Sequence, residues 1–365
     1  MVNLSQNGFT HNQILKFLKS EEGIRSVNYR LDVTRSGILI REAKYIDCSI
    51  ECKSDENIKY SASITIEPND LFNWRTDRIV PVIHFAYQGS SFEYPLVPMR
   101  AETVSHEIHD GYTLLKIEAF DELMALKNNS FGYVPYFSAG TIYTTAIAKI
   151  LQDIGFEQTN IYPSNKAMQT DREDWSEDSN ILETLNGLLD EIGYRSLAVN
   201  RDGIVYSSEY EEPGIATAEI HYNVGKDSVI QASKTLEFDS YNKPNRFVGI
   251  VNNPDLEEPL RYVYENSDPS SPISTVNRYS VTQVVAYDSI ADIETLAANI
   301  IRLAADVSAD YEYATLTTAN MPHHELWEDI TIQSNGVSGV YQETGWTMDF
   351  KKGGTMKHNL RRRVY

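Results

Sequence analysis

Residues 141–210 read as one compact α/β unit, and long strand-like stretches flank it on both sides. Ile142, Ala146, Ile147, Ile150, Leu151 and Ile154 recur at helical spacing behind Thr141, a residue able to cap the helix, and the run stops at Gly155-Phe156. A second helix, beginning near Ser179, carries Ile181, Leu182, Leu185, Leu188, Leu189 and Ile192 and stops in the same way at Gly193-Tyr194. Each glycine is placed to take the left-handed position after the last turn, and each aromatic to fold back on it. Strand 194–199, the turn Asn200-Arg201-Asp202-Gly203 and strand 204–208 then make a hairpin. Two helices on a hairpin bury one face each and require no deep cleft.

Around this unit the hydrophobic period is two. Ile46, Cys48, Ile50 and Cys52 alternate with polar neighbours, as do Ile58, Tyr60, Ala62, Ile64 and Ile66, with Asp55-Glu56-Asn57 as the turn between them. Further strands are expected at 80–87, 93–97, 102–108 and 112–120, and after the insert at 246–251, 260–264, 279–286, 312–318 and 326–332, with a hairpin-like run at 340–350. Two more helices are expected. One follows Thr10, with Gln13 completing a capping box and Ile14, Leu15 and Leu18 as its stripe up to Gly23; the other starts at Ser289 and carries Ile290, Ile293, Leu296, Ala297, Ile300, Ile301 and Ala304. The fold class that follows is α+β and β-rich: two small antiparallel β-barrel-like domains flanking an α/β insert, with a C-terminal extension. The expected divisions are a helical arm at 1–26, β domains at 27–130 and 226–335, the insert at 131–225, and a C-terminal hairpin with a basic end at 336–365.

Acidic residues number 52 against 32 basic, a net charge of −20, so the surface field repels polyanions and argues against specific nucleic-acid binding. Charge is also segregated. Lys351, Lys352, Lys357, Arg361, Arg362 and Arg363 follow Asp349 with no acid among them, and removing those six from the basic count leaves 26 against 52. With Leu360, Val364 and Tyr365 they form the candidate interface, an ordered strand or arm that docks on an acidic neighbour. Cys48 and Cys52, four apart on a strand, would lie about 13 Å apart on one face, too far for a disulfide, and are expected as free thiols. The first eight residues have no signal-peptide pattern, and no segment approaches the ~18 apolar residues of a membrane span, so no membrane insertion is expected.

Residues that could carry chemistry are few. His106 and His109 have metal-site spacing but fall on an expected strand, where they would face opposite sides. His323 and His324 sit in the expected turn before the strand at 326, where adjacent side chains diverge. Glu173-Asp174 and Glu257-Glu258 read as acidic surface, no nucleophile elbow or phosphate loop occurs, and Trp74, Trp175, Trp327 and Trp346 read as packing residues. No catalytic, cofactor or metal residue is therefore assigned, and no enzyme activity is expected.

The order of elements resembles the baseplate hub and tail hub proteins of phages and related injection devices, a fold shared by the N-terminal part of tail-associated proteins. The resemblance rests on LKIEAFDELMALK at 115–127, AIAKILQDIGF at 146–156, SNILETL at 179–185, AVNRDGIVY at 198–206 and YNKPNRFVGIV at 241–251. It implies a homotrimeric ring with pseudo-sixfold symmetry that adapts a tail tube or distal tail ring protein to a spike or fibre protein and lets DNA pass. Such a ring would sit at the virion tail tip after assembly in the bacterial host cytoplasm. Two other readings compete: a carbohydrate-binding receptor module using the aromatics, and a cell-wall-degrading enzyme.

Overall fold

The computed structural model describes all residues except 1, 20–24, 69–72, 74, 174, 211–219, 226–227, 239–242, 252–258, 288, 310–311, 335 and 363–365, and the side chains of 109, 232, 233 and 309. Gly23, Trp74, Asp174, Tyr241, Asn242, Glu257, Glu258, Arg363, Val364 and Tyr365, singled out above, lie outside the described residues.

Helix α1 (His11–Lys19) precedes eight strands: β1 (Arg25–Arg35), β2 (Ile38–Ala43), β3 (Tyr45–Lys53), β4 (Tyr60–Ile66), β5 (Arg78–Tyr87), β6 (Ser90–Pro95), β7 (Arg100–His109) and β8 (Tyr112–Phe120). The insert follows with α2 (Leu123–Lys127), α3 (Tyr143–Asp153), β9 (Thr159–Ile161), α4 (Ile181–Asp190), β10 (Ala198–Val199) and β11 (Val205–Ser207). The remainder is β12 (Ile220–Asn223), β13 (Ile230–Phe238), β14 (Arg246–Val251), β15 (Arg261–Glu265), β16 (Thr282–Tyr287), α5 (Ile293–Ala309), β17 (Glu312–Ala319), β18 (Asp329–Ser334), β19 (Val337–Asp349) and β20 (Thr355–Arg362). The chain is α+β and β-rich, with mostly antiparallel sheets, and among the described residues each sheet is open rather than closed into a barrel.

One large sheet runs through both halves of the chain in the order β13-β17-β20-β19-β3-β4-β8-β7. Its seam is β19. The first part of that strand pairs with β18, from Val337 opposite Ser334 to Gln342 opposite Asp329, and β18 in turn pairs in parallel with β12. The second part, Gly345 to Asp349, pairs with β3 from Lys53 to Ser49, while β20 follows β19 along its other side. The register shifts between Glu343 and Gly345, so the strand changes partner where it bulges. Segment 336–365, expected as a C-terminal hairpin and basic end, thus places β20 centrally, between β17 and β19.

The other sheets are smaller. β2-β1-β5-β6 packs over the N-terminal half, and β15-β14-β16 is covered by α5 around Phe247, Val251, Leu296, Ile300 and Ala304. Gly249 on β14 permits that packing, because a Cβ there would sit 2.7 Å from the Ile300 side chain. Residues expected to form one β region at 226–335 are therefore divided between this α/β layer and the large sheet.

The local expectations for the insert hold at the helix ends. After α3, Phe156 N–H donates to Leu151 C=O and Gly155 N–H to Gln152 C=O, with Gly155 at φ +93°; Tyr194 to Leu189 and Gly193 to Asp190 repeat the pattern after α4. The starts differ. Ile142, not Thr141, is the N-cap of α3, since the backbone of 141–142 is held by pairing with 167–168, and its hydrocarbon side chain can make no cap bond. Asn180, one residue past Ser179, caps α4 by accepting from Glu183 N–H at 3.1 Å. α5 begins at Ile293 because Asp292 accepts from Thr295 N–H at 2.7 Å and acts as the cap. Ile46 is 58% exposed despite the alternation, since a bulge between Tyr45 and Asp47 turns it away from the core that holds Cys48, Ile50 and Cys52.

Candidate functional site

Three titratable side chains meet at the bulge of β19. Glu343 on that strand places Oε2 2.8 Å from Nδ1 of His324, in the loop before β18, and Oε1 2.5 Å from Nδ1 of His358 on β20. The outer ring nitrogens are held too: His324 Nε2 lies 2.6 Å from the Tyr222 hydroxyl on β12, and His358 Nε2 lies 2.8 Å from Thr318 Oγ1 on β17. A second carboxylate, Glu328, comes within 3.6 Å of His324 Nδ1. His324, Glu343 and His358 are 2%, 1% and 0% exposed, so no substrate-sized molecule touches them in this conformation. They are the residues among those described that could hold a metal ion.

The electrostatics follow from burial. Removal from water alone would raise the Glu343 carboxyl, but the two facing imidazoles outweigh it and hold the group down at about 2. Burial pushes Glu328 up to about 8 and His323, beside His324, well below the usual histidine range. The loop carrying the histidines is held from the insert. Arg201, in the turn between β10 and β11, donates to the carbonyls of Pro322 at 2.7 Å and His324 at 3.1 Å. In the sequence only the adjacency of His323 and His324 pointed here; they lie in the turn before β18 as expected, but the expected divergence of their side chains is corrected, since both are buried with ring centroids 4.7 Å apart.

A second buried group ties the insert to the first half. Lys59 Nζ donates to the carbonyls of Ser54 at 2.8 Å and Glu56 at 2.6 Å and to Ser196 Oγ at 2.9 Å. Asp121 accepts from the N–H groups of Lys59, Tyr60 and Leu123 at 2.9, 2.8 and 3.0 Å, which starts α2 and fixes the strand-to-helix run at 115–127. Burial pushes the Lys59 ammonium down from 10.5 to about 8. The unfolded chain then keeps this proton to near pH 10.5 while the folded chain releases it near pH 8, so its contribution to stability grows as pH rises through that window. Relative to Lys59→Met, the wild type is expected to gain about 2–3 kcal/mol between pH 7 and pH 10. Urea unfolding at the two pH values measures this, and a pH-independent difference between the proteins refutes it.

The residues picked from sequence are not gathered into one site. Lys351 and Lys352 are exposed in the turn between β19 and β20, and Lys357 is exposed on β20. Arg361 donates to Gln342 at 2.7 Å and to Asp306 at 2.9 Å, and Arg362 to the Ser338 carbonyl at 2.9 Å with Glu312 at 3.4 Å, so these two arginines are engaged within the chain. His106 is exposed on β7, and Cys48 and Cys52 are buried free thiols on β3. Trp175 stacks with Arg172, Trp327 with Lys59 and Arg195, and Trp346 is buried, so these three take part in packing. A cavity of ≈ 480 Å³ lies between α4 and the end of β16, but its buried Arg172 and Glu191 are paired with each other. No helix among the described residues is long and apolar enough to cross a membrane.

No protein-family model and no curated protein matches this chain. Solved structures do. A tail protein from Neisseria meningitidis MC58 superposes with a TM-score of 0.65 at 14% identity, covering 92% of this chain and 97% of that one. The prophage MuSo2 43 kDa tail protein from Shewanella oneidensis gives 0.65 at 10% identity over 92% and 98%. Prophage tail protein gp18 from Listeria monocytogenes EGD-e gives 0.55 at 12% identity over 91% and 94%. The β-rich halves, the α/β insert and the order in which they follow one another are thus those of the fold found in phage and prophage tail proteins.

Proposed function

We propose that this protein is a non-enzymatic structural hub of a phage tail or tail-like particle. Three copies form a ring that joins the tail tube or a distal tail ring protein to the spike or fibre protein and leaves a passage for DNA. The observation that carries this reading is the end-to-end likeness to tail proteins: 97% and 98% of two of them are covered. A net charge of −20 agrees with a lumen that DNA crosses without sticking. The ring sits at the tail tip and is assembled in the host cytoplasm.

Assembly requires contact surfaces, and two are proposed. Ile38, Leu39 and Ile40 on edge strand β2 are 68%, 51% and 43% exposed, and a neighbouring copy would cover this apolar edge. The exposed lysines Lys351, Lys352 and Lys357, together with Arg363 and Tyr365 that follow in the sequence, would meet an acidic partner, while Arg361 and Arg362 stay engaged within the chain. Because β20 is an inner strand, this end is tested by charge reversal rather than by deletion.

Light scattering of the full chain across a salt series, with and without the tube protein of the same particle, is expected to reveal a species of about three times 41.4 kDa, favoured by salt or by the partner. Leu39→Glu is expected to leave a folded monomer, and reversing the three lysines to weaken partner binding more at low salt than at high salt. A stable dimer in every condition, or a monomer that never joins a ring of the particle by electron microscopy, sinks the hub reading.

A further inference from the structure

We propose that His324, Glu343 and His358 bind one divalent transition-metal ion of the zinc type, through the Nδ1 atoms of both imidazoles and the Glu343 carboxylate. This site is independent of the hub reading.

The first argument is the donor set. Two imidazole nitrogens and a carboxylate suit zinc, and their ligating atoms all lie within 4.8 Å of one another. Glu328 Oε2, 3.6 Å from His324 Nδ1, is the nearest candidate for a fourth donor. Bonds of about 2.0–2.1 Å at tetrahedral angles place donors roughly 3.3 Å apart. The Glu343 contacts of 2.8 and 2.5 Å are shorter than this, so the carboxylate would have to swing back by somewhat under an ångström to admit the ion.

The second argument is the placement of protons. Thr318 Oγ1 lies 2.8 Å from the Ala319 carbonyl, which can only accept, and 2.8 Å from His358 Nε2. With the hydroxyl proton on that carbonyl, the threonine oxygen would accept from Nε2–H. Nδ1 of His358 and a carboxylate oxygen of Glu343 then stand 2.5 Å apart, a contact that needs a proton or a metal ion between them. A metal ion would fill that place. The outer contacts of both rings, to Thr318 and Tyr222, are the kind that orient a metal-binding histidine.

The third argument is position. The donors come from β19, β20 and the loop before β18, at the point where β19 leaves β18 for β3. An ion there would fasten the bulge that joins the two halves of the large sheet. Its binding needs an ionised Glu343 and neutral imidazoles, so it releases any proton these groups shared.

The test uses the full-length chain purified from zinc-supplemented cells and analysed for metal after gel filtration. About one zinc per chain is expected, falling ~10-fold or more in Glu343→Gln and His358→Gln. Stripping with EDTA is expected to lower the Tm of the wild type by about 5–10 °C and ZnCl2 to restore it, with neither affecting the variants. X-ray absorption is expected to show nitrogen and oxygen ligands only. Folded wild type with under ~0.1 zinc per chain and a Tm indifferent to both reagents would mean that a proton holds the cluster, and would overturn the proposal. Zinc retained by the variants, or sulfur in its shell from Cys48 or Cys52, places the ion elsewhere and overturns it equally. If the variants do not fold, the wild-type occupancy, Tm response and ligand shell decide alone.

Discussion

Gly345→Ala is expected to destabilise the chain by about 3 kcal/mol or more. A Cβ on Gly345 would lie 2.4 Å from the Cys52 carbonyl oxygen and 3.4 Å from the Cys52 carbonyl carbon and Lys53 Cα. All three are backbone atoms of β3, so no flexible side chain can yield. The two strands must separate at the seam that joins the halves of the large sheet, next to Glu343. Gly187 provides the contrast. It lies in α4, and a methyl group there would meet nothing within 4 Å, so Gly187→Ala is expected to stabilise by about 0.5–1 kcal/mol. Denaturant unfolding of both variants is the measurement; equal midpoints for Gly345→Ala and wild type would show that β3 and β19 do not approach as described.

Arg172→Met is expected to cost about 3–5 kcal/mol, because it strands a carboxylate in the interior. Arg172 is 4% exposed and donates to Glu191 through two nitrogens at 2.6 and 3.1 Å, while the Tyr143 hydroxyl donates to the same carboxylate at 2.8 Å. The Trp175 ring lies 4.9 Å from the guanidinium. The pair joins the segment before α4 to the end of that helix. Replacing both charges, in Arg172→Met with Glu191→Leu, is expected to recover most of the loss, because apolar groups of similar size carry no desolvation penalty. Thermal unfolding of the two single variants and the double variant closes the cycle, and a double variant as unstable as the singles would show that packing of the arginine stem, not charge, sets the cost.

Structural features that depend on neighbours in the chain were legible from residues alone. Gly155-Phe156 and Gly193-Tyr194 end their helices as expected because the bonds involved span five residues, and Thr10 with Gln13 forms a reciprocal capping box for the same reason. The alternation at Cys48, Ile50 and Cys52 marked the buried face of β3, and failed at Ile46 because the bulge there answers to the register with β4. The order of β regions and insert was sufficient to reach the tail-protein fold. The division of the second β region between the α5 layer and the large sheet was not, since it depends on which strands pair.

Sequence by itself determined helices α1, α3, α4 and α5, the glycines that end α3 and α4, most strand faces, the free cysteines and the excess of acid, all consequences of spacing and composition. Only the tertiary structure decided that β20 is an inner strand, and that Arg361 and Arg362 answer acids of their own chain. It also brought His324, Glu343 and His358 together. No spacing rule links those three, because they converge through β19 pairing with β20 and through the loop that Arg201 holds. Strand pairing is set by burial and backbone hydrogen bonding summed over the whole sheet, and such contacts leave no periodic trace in the residues that make them.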